Sequence, residues 1–122
     1  MNNIFKSILR KIFRRKIIKN FNKYCPRKEG HVLLYYKTDY YSLGGLLEDR
    51  SHTNEWESYE IAKVFNQLGF WVDIADRTIS KNDIEKLEDK YDVFFGIGAG
   101  DSGQYFVDIA KKLTKAKKIL YA

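Results

Sequence analysis

Residues 51–76 read SHTNEWESYEIAKVFNQLGFWVDIAD, and this stretch decides the fold class. Ser51, Thr53 and Asn54 are suited to accept hydrogen bonds from the free N–H groups of a first helical turn. Gly69 favours the left-handed conformation that ends a helix, and residues 70–75 carry the bulky and β-branched side chains of a strand. The stretch therefore predicts a helix followed by a strand. Helical spacing predicts a core-facing stripe of Tyr59, Ile61, Ala62, Val64, Phe65 and Leu68, with Glu60, Lys63, Asn66 and Gln67 on the other side.

Further strands and helices flank this unit. The apolar run 31–37 predicts a first strand that is buried on both faces. Strands alternating with helices imply right-handed crossovers. We therefore expect an α/β fold with a Rossmann-like parallel sheet of about four strands, in the order 3-2-1-4, and helices on both faces. The remaining predicted elements are strands at 70–75, 92–97 and 118–122 and helices at 82–90 and 104–115.

The positive charge is concentrated at the N-terminus. The net charge is +6, but residues 1–28 hold ten Lys and Arg and no acid. Residues 29–122 hold twelve Lys and Arg against sixteen Asp and Glu, a net charge of −4. Pro26 marks the boundary that we predict between a basic amphipathic helix with its linker, residues 1–28, and a single domain, residues 29–122.

Residues 3–24 alternate apolar and basic side chains at helical spacing, which is typical of a helix lying in an anionic membrane interface. The alternatives are a helix packed on its own domain, a nucleic-acid-binding arm or a transit peptide; we favour the membrane and expect no nucleic-acid partner. No apolar run is long enough to cross a bilayer, and Cys25 is the only cysteine, so we expect a cytoplasmic protein, peripheral on the inner face of the cell membrane. The predicted membrane contacts are Phe5, Arg10, Lys11, Phe13, Arg14, Arg15 and Lys16.

The central stretch also resembles a known family. Its motifs resemble the first helix and second strand of bacterial glycosyltransferases of the GT-B fold, in the family 4/family 1 group, which follow the pattern H-T-N-x-W-E, a helix, then G-[YF]-x-V-D. With two later segments the resemblance extends from about Gly30 to the end of the chain. The matching residues are His52-Thr53-Asn54-Glu55-Trp56-Glu57, Glu60-Ile61-Ala62, Leu68-Gly69-Phe70, Val72-Asp73, Tyr91-Asp92-Val93 and Lys118-Ile119-Leu120-Tyr121-Ala122.

The resemblance implies a function and several partners. It implies the acceptor-side N-terminal portion of a hexosyltransferase that uses a nucleotide-sugar donor and no essential metal, acting in cell-surface glycan or glycolipid synthesis on a sugar or lipid-linked acceptor. The donor-binding C-terminal domain would be missing. The strand at 118–122 has no helix after it, so we expect a truncated chain that binds no cofactor and is inactive alone.

We predict the site beyond the carboxyl ends of the strands, where strand order reverses between strands one and four. His52 is suited to take a proton from an acceptor hydroxyl, oriented by Glu55 or Glu57. The alternative is that His52, Asn54 and Glu55 are only caps and surface residues of a helix. Gly44 and Gly45 let backbone N–H groups approach a phosphate, and the resemblance puts them near the donor diphosphate; they also suit a flexible turn.

The loop after strand three carries a second motif. Gly98, Gly100 and Gly103 satisfy G-x-G-x-x-G between a strand and a helix, the dinucleotide fingerprint, and the loop also resembles the first motif of methyltransferases that use S-adenosylmethionine. That motif normally follows the first strand, and the acidic residue expected after the next strand is absent. We favour a loop lining the acceptor cleft, with Asp101 pointing into it. The other hypotheses are a free-standing Rossmann-like dinucleotide or S-adenosylmethionine module and a non-catalytic membrane-associated partner domain.

Overall fold

The computed structural model describes residues 3–5, 7–8, 17–21, 29–36, 38, 53–97 and 105–121, and only the backbone of residues 53–56. Residues 3–5 and 7–8 are helical. The other described elements are five strands and three helices: β1 (Ile17–Phe21), β2 (Gly30–Tyr36), α1 (Thr53–Gln67), β3 (Phe70–Asp76), α2 (Lys81–Glu85), β4 (Val93–Ile97), α3 (Phe106–Lys112) and β5 (Lys117–Tyr121).

The protein is α/β, with a mixed and mostly parallel sheet flanked by helices, as the alternating pattern predicts. The sheet order is β1-β3-β2-β4-β5. The predicted order 3-2-1-4 is wrong, because the third predicted strand, β4, pairs with β2 rather than with β3. The physical reason is that β1 occupies the outer edge of β3, the place where the predicted order put that strand.

Strand β1 also corrects the prediction of one helix over residues 3–24. Residues 17–21 form an antiparallel edge strand on β3, with a register shift between Ile18 and Phe21. Ile17 packs against the core on one face of the sheet, and Ile18 and Phe21 pack against the core on the other. These apolar side chains therefore suit a strand that packs on both faces of the sheet. Burial against the sheet outweighs the helical spacing of the sequence.

The remainder of the predicted basic helix is described only at its start. Phe5 is half exposed, and residues 10–16, which include the other six predicted membrane contacts, lie outside the described residues. Among the helices that the structure describes, none combines the length and apolar character that a membrane span requires.

Helix α1 confirms the helix predicted for the central stretch, and Gly69 follows it with a φ of +94°, as a left-handed helix end requires. Its buried stripe differs from the prediction. Ser58, Ala62 and Asn66 are fully buried at four-residue spacing, whereas Val64 and Leu68 are 51% and 62% exposed. Asn66 is tolerated in the core because its side-chain amide donates a 2.9 Å hydrogen bond to the carbonyl of Phe70.

The sheet separates two apolar layers. On the α1 face, Ala62 packs among Val32, Leu34, Val72 and Ile74. On the opposite face a larger cluster joins the sheet to α2 and α3 through Leu33, Tyr35, Ala75, Ile79, Ile84, Leu87, Tyr91, Phe94, Ile109, Leu113 and Ala116. Strand β2 lies between the layers and is buried along its whole length, as the run 31–37 predicts.

Local chemistry explains the ends of the shorter elements. Ser80 caps α2, and its side chain and that of Asp83 form a reciprocal capping box. The helix ends at Glu85, five residues before the predicted end, and Leu87 is buried beyond it. Helix α3 approaches β4 so closely that a Cβ atom at Gly96 would overlap the ring of Phe106, which stacks on Phe94.

Candidate functional site

The candidate site lies at the carboxyl ends of β2 and β4. The chain leaves β2 toward β3 on one side, and β4 then pairs with β2 on the other side. Strand order therefore reverses between β2 and β4, not between predicted strands one and four. Since β2 and β4 are parallel, both end at the same edge of the sheet, at Tyr36 and Ile97. In open α/β sheets this position binds ligands.

The buried carboxylate of Asp76 joins two strand ends at this edge. Oδ1 accepts hydrogen bonds from the backbone N–H of Thr38 at 2.8 Å and from its hydroxyl at 3.2 Å. Oδ2 accepts the backbone N–H of Thr78 at 3.0 Å and also the Thr78 hydroxyl. The N–H of Arg77 donates to the Tyr36 carbonyl at 2.5 Å. The two chain segments that leave β2 and β3 are therefore tied to each other through one side chain.

This arrangement suits Asp76 for positioning rather than for proton transfer, because both carboxylate oxygens are already occupied by donors. Asp76 is not among the site residues predicted from the sequence. The signal that identifies it is the sequence Asp76-Arg77-Thr78 directly after a strand, since an aspartate that accepts the N–H two residues later forms an Asx turn.

Tyr35 makes a second connection at the same edge. Its hydroxyl donates to the carbonyl of Arg77 at 3.2 Å, and Tyr105 packs against the core cluster to which Tyr35 belongs. Burial raises the pKa of Tyr35 above its ordinary value, so this hydroxyl stays protonated at neutral pH. Residue 105 directly follows the segment 98–104, so the cluster around Tyr35 holds the start of α3 near the end of β3.

Glu57 is the predicted cleft residue whose side chain the structure describes. Tyr121, at the carboxyl end of β5, lines the same shallow groove as Glu57, and the Glu57 carboxylate raises the pKa of Tyr121. Glu57 lies in the second turn of α1, which begins at Thr53. The start of α1 therefore lies at the same edge of the sheet as the ends of the parallel strands.

The other predicted site residues are described in part or not at all. Asn54 and Glu55 lie in the first turn of α1, where only the backbone is described. The predicted base, the aspartate and the glycines lie outside the described residues: His52, Asp101, Gly44, Gly45, Gly98, Gly100 and Gly103. In sequence, the predicted phosphate loop follows β2 and the G-x-G-x-x-G loop follows β4, the two strands that flank the switch point.

The motif residues in the middle of β3 and at the amino end of β4 have a structural role. The Asp92 carboxylate accepts the backbone N–H of His31 at 2.8 Å. Asp73 is fully buried and accepts the Tyr91 hydroxyl and the backbone N–H of Asn20, each at 2.7 Å. The Val72-Asp73 motif, in the middle of β3, and the Tyr91-Asp92-Val93 motif, at the amino end of β4, therefore support the scaffold and do not line the switch point.

Comparison with protein-family models, with curated proteins and with solved structures gives no match to this chain. The site is therefore interpreted from its own geometry and from the sequence motifs.

Proposed function

We propose that this chain is the acceptor-side portion of a nucleotide-sugar-dependent glycosyltransferase that acts in cell-surface glycan or glycolipid synthesis at the cytoplasmic face of the membrane. The main support for this proposal is that β2 and β4 are neighbours in the sheet. The two glycine-bearing segments that follow these strands therefore leave the sheet at one switch point. A cleft at that position is where an open α/β sheet binds its substrate.

In this proposal the two ends of the site have different tasks. His52 takes the proton of an acceptor hydroxyl as that oxygen attacks the anomeric carbon of the donor sugar, with Asp101 as the second catalytic candidate, in the loop that follows β4. The donor diphosphate leaves with the nucleotide, and a separate donor-binding domain stabilises its charge, with the N–H groups around Gly44 and Gly45 facing it. Asp76 and Tyr35 hold the chain at the borders of both loops through the contacts described above.

The membrane part of the proposal rests on the basic N-terminal segment, residues 1–16. The Lys and Arg of this segment have no acidic neighbours in sequence, and Ile4, Phe5 and Ile8 are half exposed or more. Such a segment binds an anionic leaflet through its charge and its apolar side chains. Strand β1 then connects it directly to the edge of the sheet, so bound lipid and the domain are held close together.

The function is tested by nuclear magnetic resonance titration of the ¹⁵N-labelled chain with a panel of alkyl hexosides, which mimic glycolipid acceptors. We expect shifts at Thr38, Ile97 and Tyr105, whose amides border the cleft. His52→Ala weakens the response, whereas Asn82→Ala, an exposed change in α2, leaves it unchanged. A panel without any response contradicts the acceptor-side assignment.

Lipid binding is tested separately by flotation. We expect the chain to float with vesicles containing phosphatidylglycerol, but not with vesicles of phosphatidylcholine alone. Removal of residues 1–16, which leaves β1 in place, abolishes flotation. Flotation that persists after this removal contradicts the membrane assignment of that segment.

The observed strand order also supports a second candidate, a dinucleotide or S-adenosylmethionine module. The G-x-G-x-x-G segment follows β4, and β4 borders the switch point, which the predicted order did not allow. Calorimetric titration with NAD, S-adenosylmethionine and UDP- and GDP-sugars separates the candidates. Binding of NAD or S-adenosylmethionine that is lost in Gly100→Val replaces the glycosyltransferase proposal with this one.

A further inference from the structure

Strand β5 presents an open edge. It lies at the end of the sheet and pairs with β4 on one side only, and no strand in the described part of the chain covers its other side. Leu120 is 50% exposed and Tyr121 is 42% exposed. An apolar strand with unpaired N–H and C=O groups is a template for pairing with another strand.

The pairing of β5 with β4 determines which face each side chain occupies. Lys117 is paired with Val93 and Ile119 with Phe95, two residues that pack on the α1 face. Lys117, Ile119 and Tyr121 therefore lie on the α1 face, because paired residues of parallel strands share a face and side chains alternate along a strand. Lys118 and Leu120 lie on the opposite face.

Charge is distributed unevenly along the α1 face of β5. At its carboxyl end, Tyr121 borders a shallow groove of about 290 Å³ that it lines together with Glu57, Glu60, Ile61 and Val64. At its amino end stands Lys117, which is exposed. One face of this strand is thus acidic at one end and basic at the other, with Ile119 at its centre.

We propose that the edge of β5 binds the β5 of a second copy of this chain, antiparallel and about a two-fold axis at Ile119. The sheet then continues from one copy into the other, and both α1 faces lie on the same side. In this register Lys117 lies opposite Tyr121 of the second copy and within reach of its Glu57, and the same contact recurs through the symmetry. Charge complementarity favours a second copy over an unrelated strand.

The two lysines also select this register. Residues directly opposite each other on antiparallel strands lie on the same face of the sheet. One copy of β5 can therefore slide along the other only in steps of two residues, and each step moves the two-fold axis by one residue. The register centred on Lys118 places that lysine against its own copy, and like charges directly opposite one another are destabilising. The register centred on Leu120 places Lys117 beyond Tyr121 of the second copy and so farther from its Glu57. The register centred on Ile119 pairs all five residues of β5.

This inference does not rest on the proposed function. The candidate cleft lies between β2 and β4, so pairing through β5 leaves it open. Pairing of two copies also covers the open edge of β5.

The test is sedimentation velocity over a concentration series of the purified chain, with circular dichroism to confirm that each variant is folded. We expect a concentration-dependent monomer–dimer equilibrium. Lys117→Glu raises the dimer dissociation constant about tenfold or more, because it places acid against Glu57. The double variant Lys117→Glu with Glu57→Lys restores the dimer, whereas Lys81→Glu in α2, which makes the same charge change away from β5, has no effect.

Three results would overturn the proposal. The first is a monomer at every concentration. The second is a dimer that survives both Lys117→Glu and Leu120→Pro. The N–H of Lys117 donates to Asp92 on the β4 side, so the N–H of Leu120, three residues on, faces the open edge, and proline there removes an edge donor. The third is loss of the dimer in Lys117→Glu without recovery in the double variant, which would assign the contact of Lys117 to a residue other than Glu57. None of these results bears on hexoside binding by the cleft.

Discussion

The hydroxyl of Tyr91 donates a 2.7 Å hydrogen bond to Oδ2 of Asp73, and both residues are fully buried. This bond joins the middle of β3 to Tyr91, which lies two residues before β4. The ammonium of Lys90 lies 3.8 Å from the same oxygen, and the N–H of Asn20 in β1 donates to the other oxygen. The Asp73 carboxylate therefore connects three segments of the chain.

Tyr91→Phe removes the hydroxyl and leaves the Asp73 carboxylate with fewer donors in a buried position. A buried hydrogen bond to a charged group is worth about 2 kcal/mol, so we expect the free energy of unfolding to fall by about that amount. Urea denaturation followed by circular dichroism measures it. Tyr121→Phe, which removes a hydroxyl from an exposed ring, serves as the control and should change stability much less. Equal effects of the two variants would contradict a special role for the buried bond.

The pH dependence of stability should reflect the same residue. Burial, followed by the hydrogen bond to Asp73, raises the pKa of Tyr91 in the folded state above its ordinary value. The folded state thus holds a proton that the unfolded chain releases near pH 10, so this contribution is complete below about pH 10 and declines as the pH rises beyond it. We expect the unfolding free energy to fall by up to about 1.4 kcal/mol per pH unit for this group. In Tyr91→Phe the decline is shallower, with a remaining part from Tyr35; an unchanged slope contradicts the assignment.

Asp76→Ala should loosen the candidate cleft and destabilise the fold together. The change leaves the donors of Thr38 and Thr78 without their acceptor, and we expect a loss of about 3 kcal/mol. Hydrogen exchange should accelerate at the amides of these two threonines before it accelerates in the core of β2. Asp108→Ala, an exposed change in α3, is the control. Unaltered protection at Thr38 would show that Asp76 does not hold the segment after β2.

Gly96→Ala tests the close approach of α3 to the sheet. The added methyl group overlaps the ring of Phe106, so α3 must shift, and overpacking of this kind costs about 1–3 kcal/mol. Phe106→Leu makes room at that position. In the double variant the cost of Gly96→Ala should be smaller than in the parent, a coupling that a double-mutant cycle measures. Additive effects would contradict a direct contact.

Two truncations test the assignment of residues 17–21 to the sheet. Removal of residues 1–16 should leave the free energy of unfolding nearly unchanged. Removal of residues 1–21 also takes away Ile17, Ile18 and Phe21, which pack against the two cores, and should cost about 3 kcal/mol on the basis of their apolar burial. It also opens the edge of β3, so we expect aggregation to increase. Equal stability of the two truncated chains would restore the helix interpretation of this segment.

Elements whose signals are local could be predicted from the sequence alone. The helix of the central stretch, its end at Gly69 and the strand after it were predictable because capping, apolar spacing and β propensity agree there. The buried strand β2 was predictable from its continuous apolar run, and the α/β class from the alternation of strands and helices. The loops that follow β2 and β4 could also be predicted as the site, because their glycines and polar residues lie between a predicted strand and a predicted helix.

The way these elements combine depends on contacts between segments that are distant in sequence. Residues 17–21 have the spacing of a helix, and pairing with β3 and burial on two faces make them a strand. That strand occupies the edge of β3 and so leaves β4 to pair with β2, which moves the switch point. Asn66 reads as a surface residue until the carbonyl of Phe70 supplies its partner in the core. Asp73 and Asp76 are ordinary acids in the sequence, and their roles arise from donors 53 and 38 residues away, contacts that local pattern does not contain.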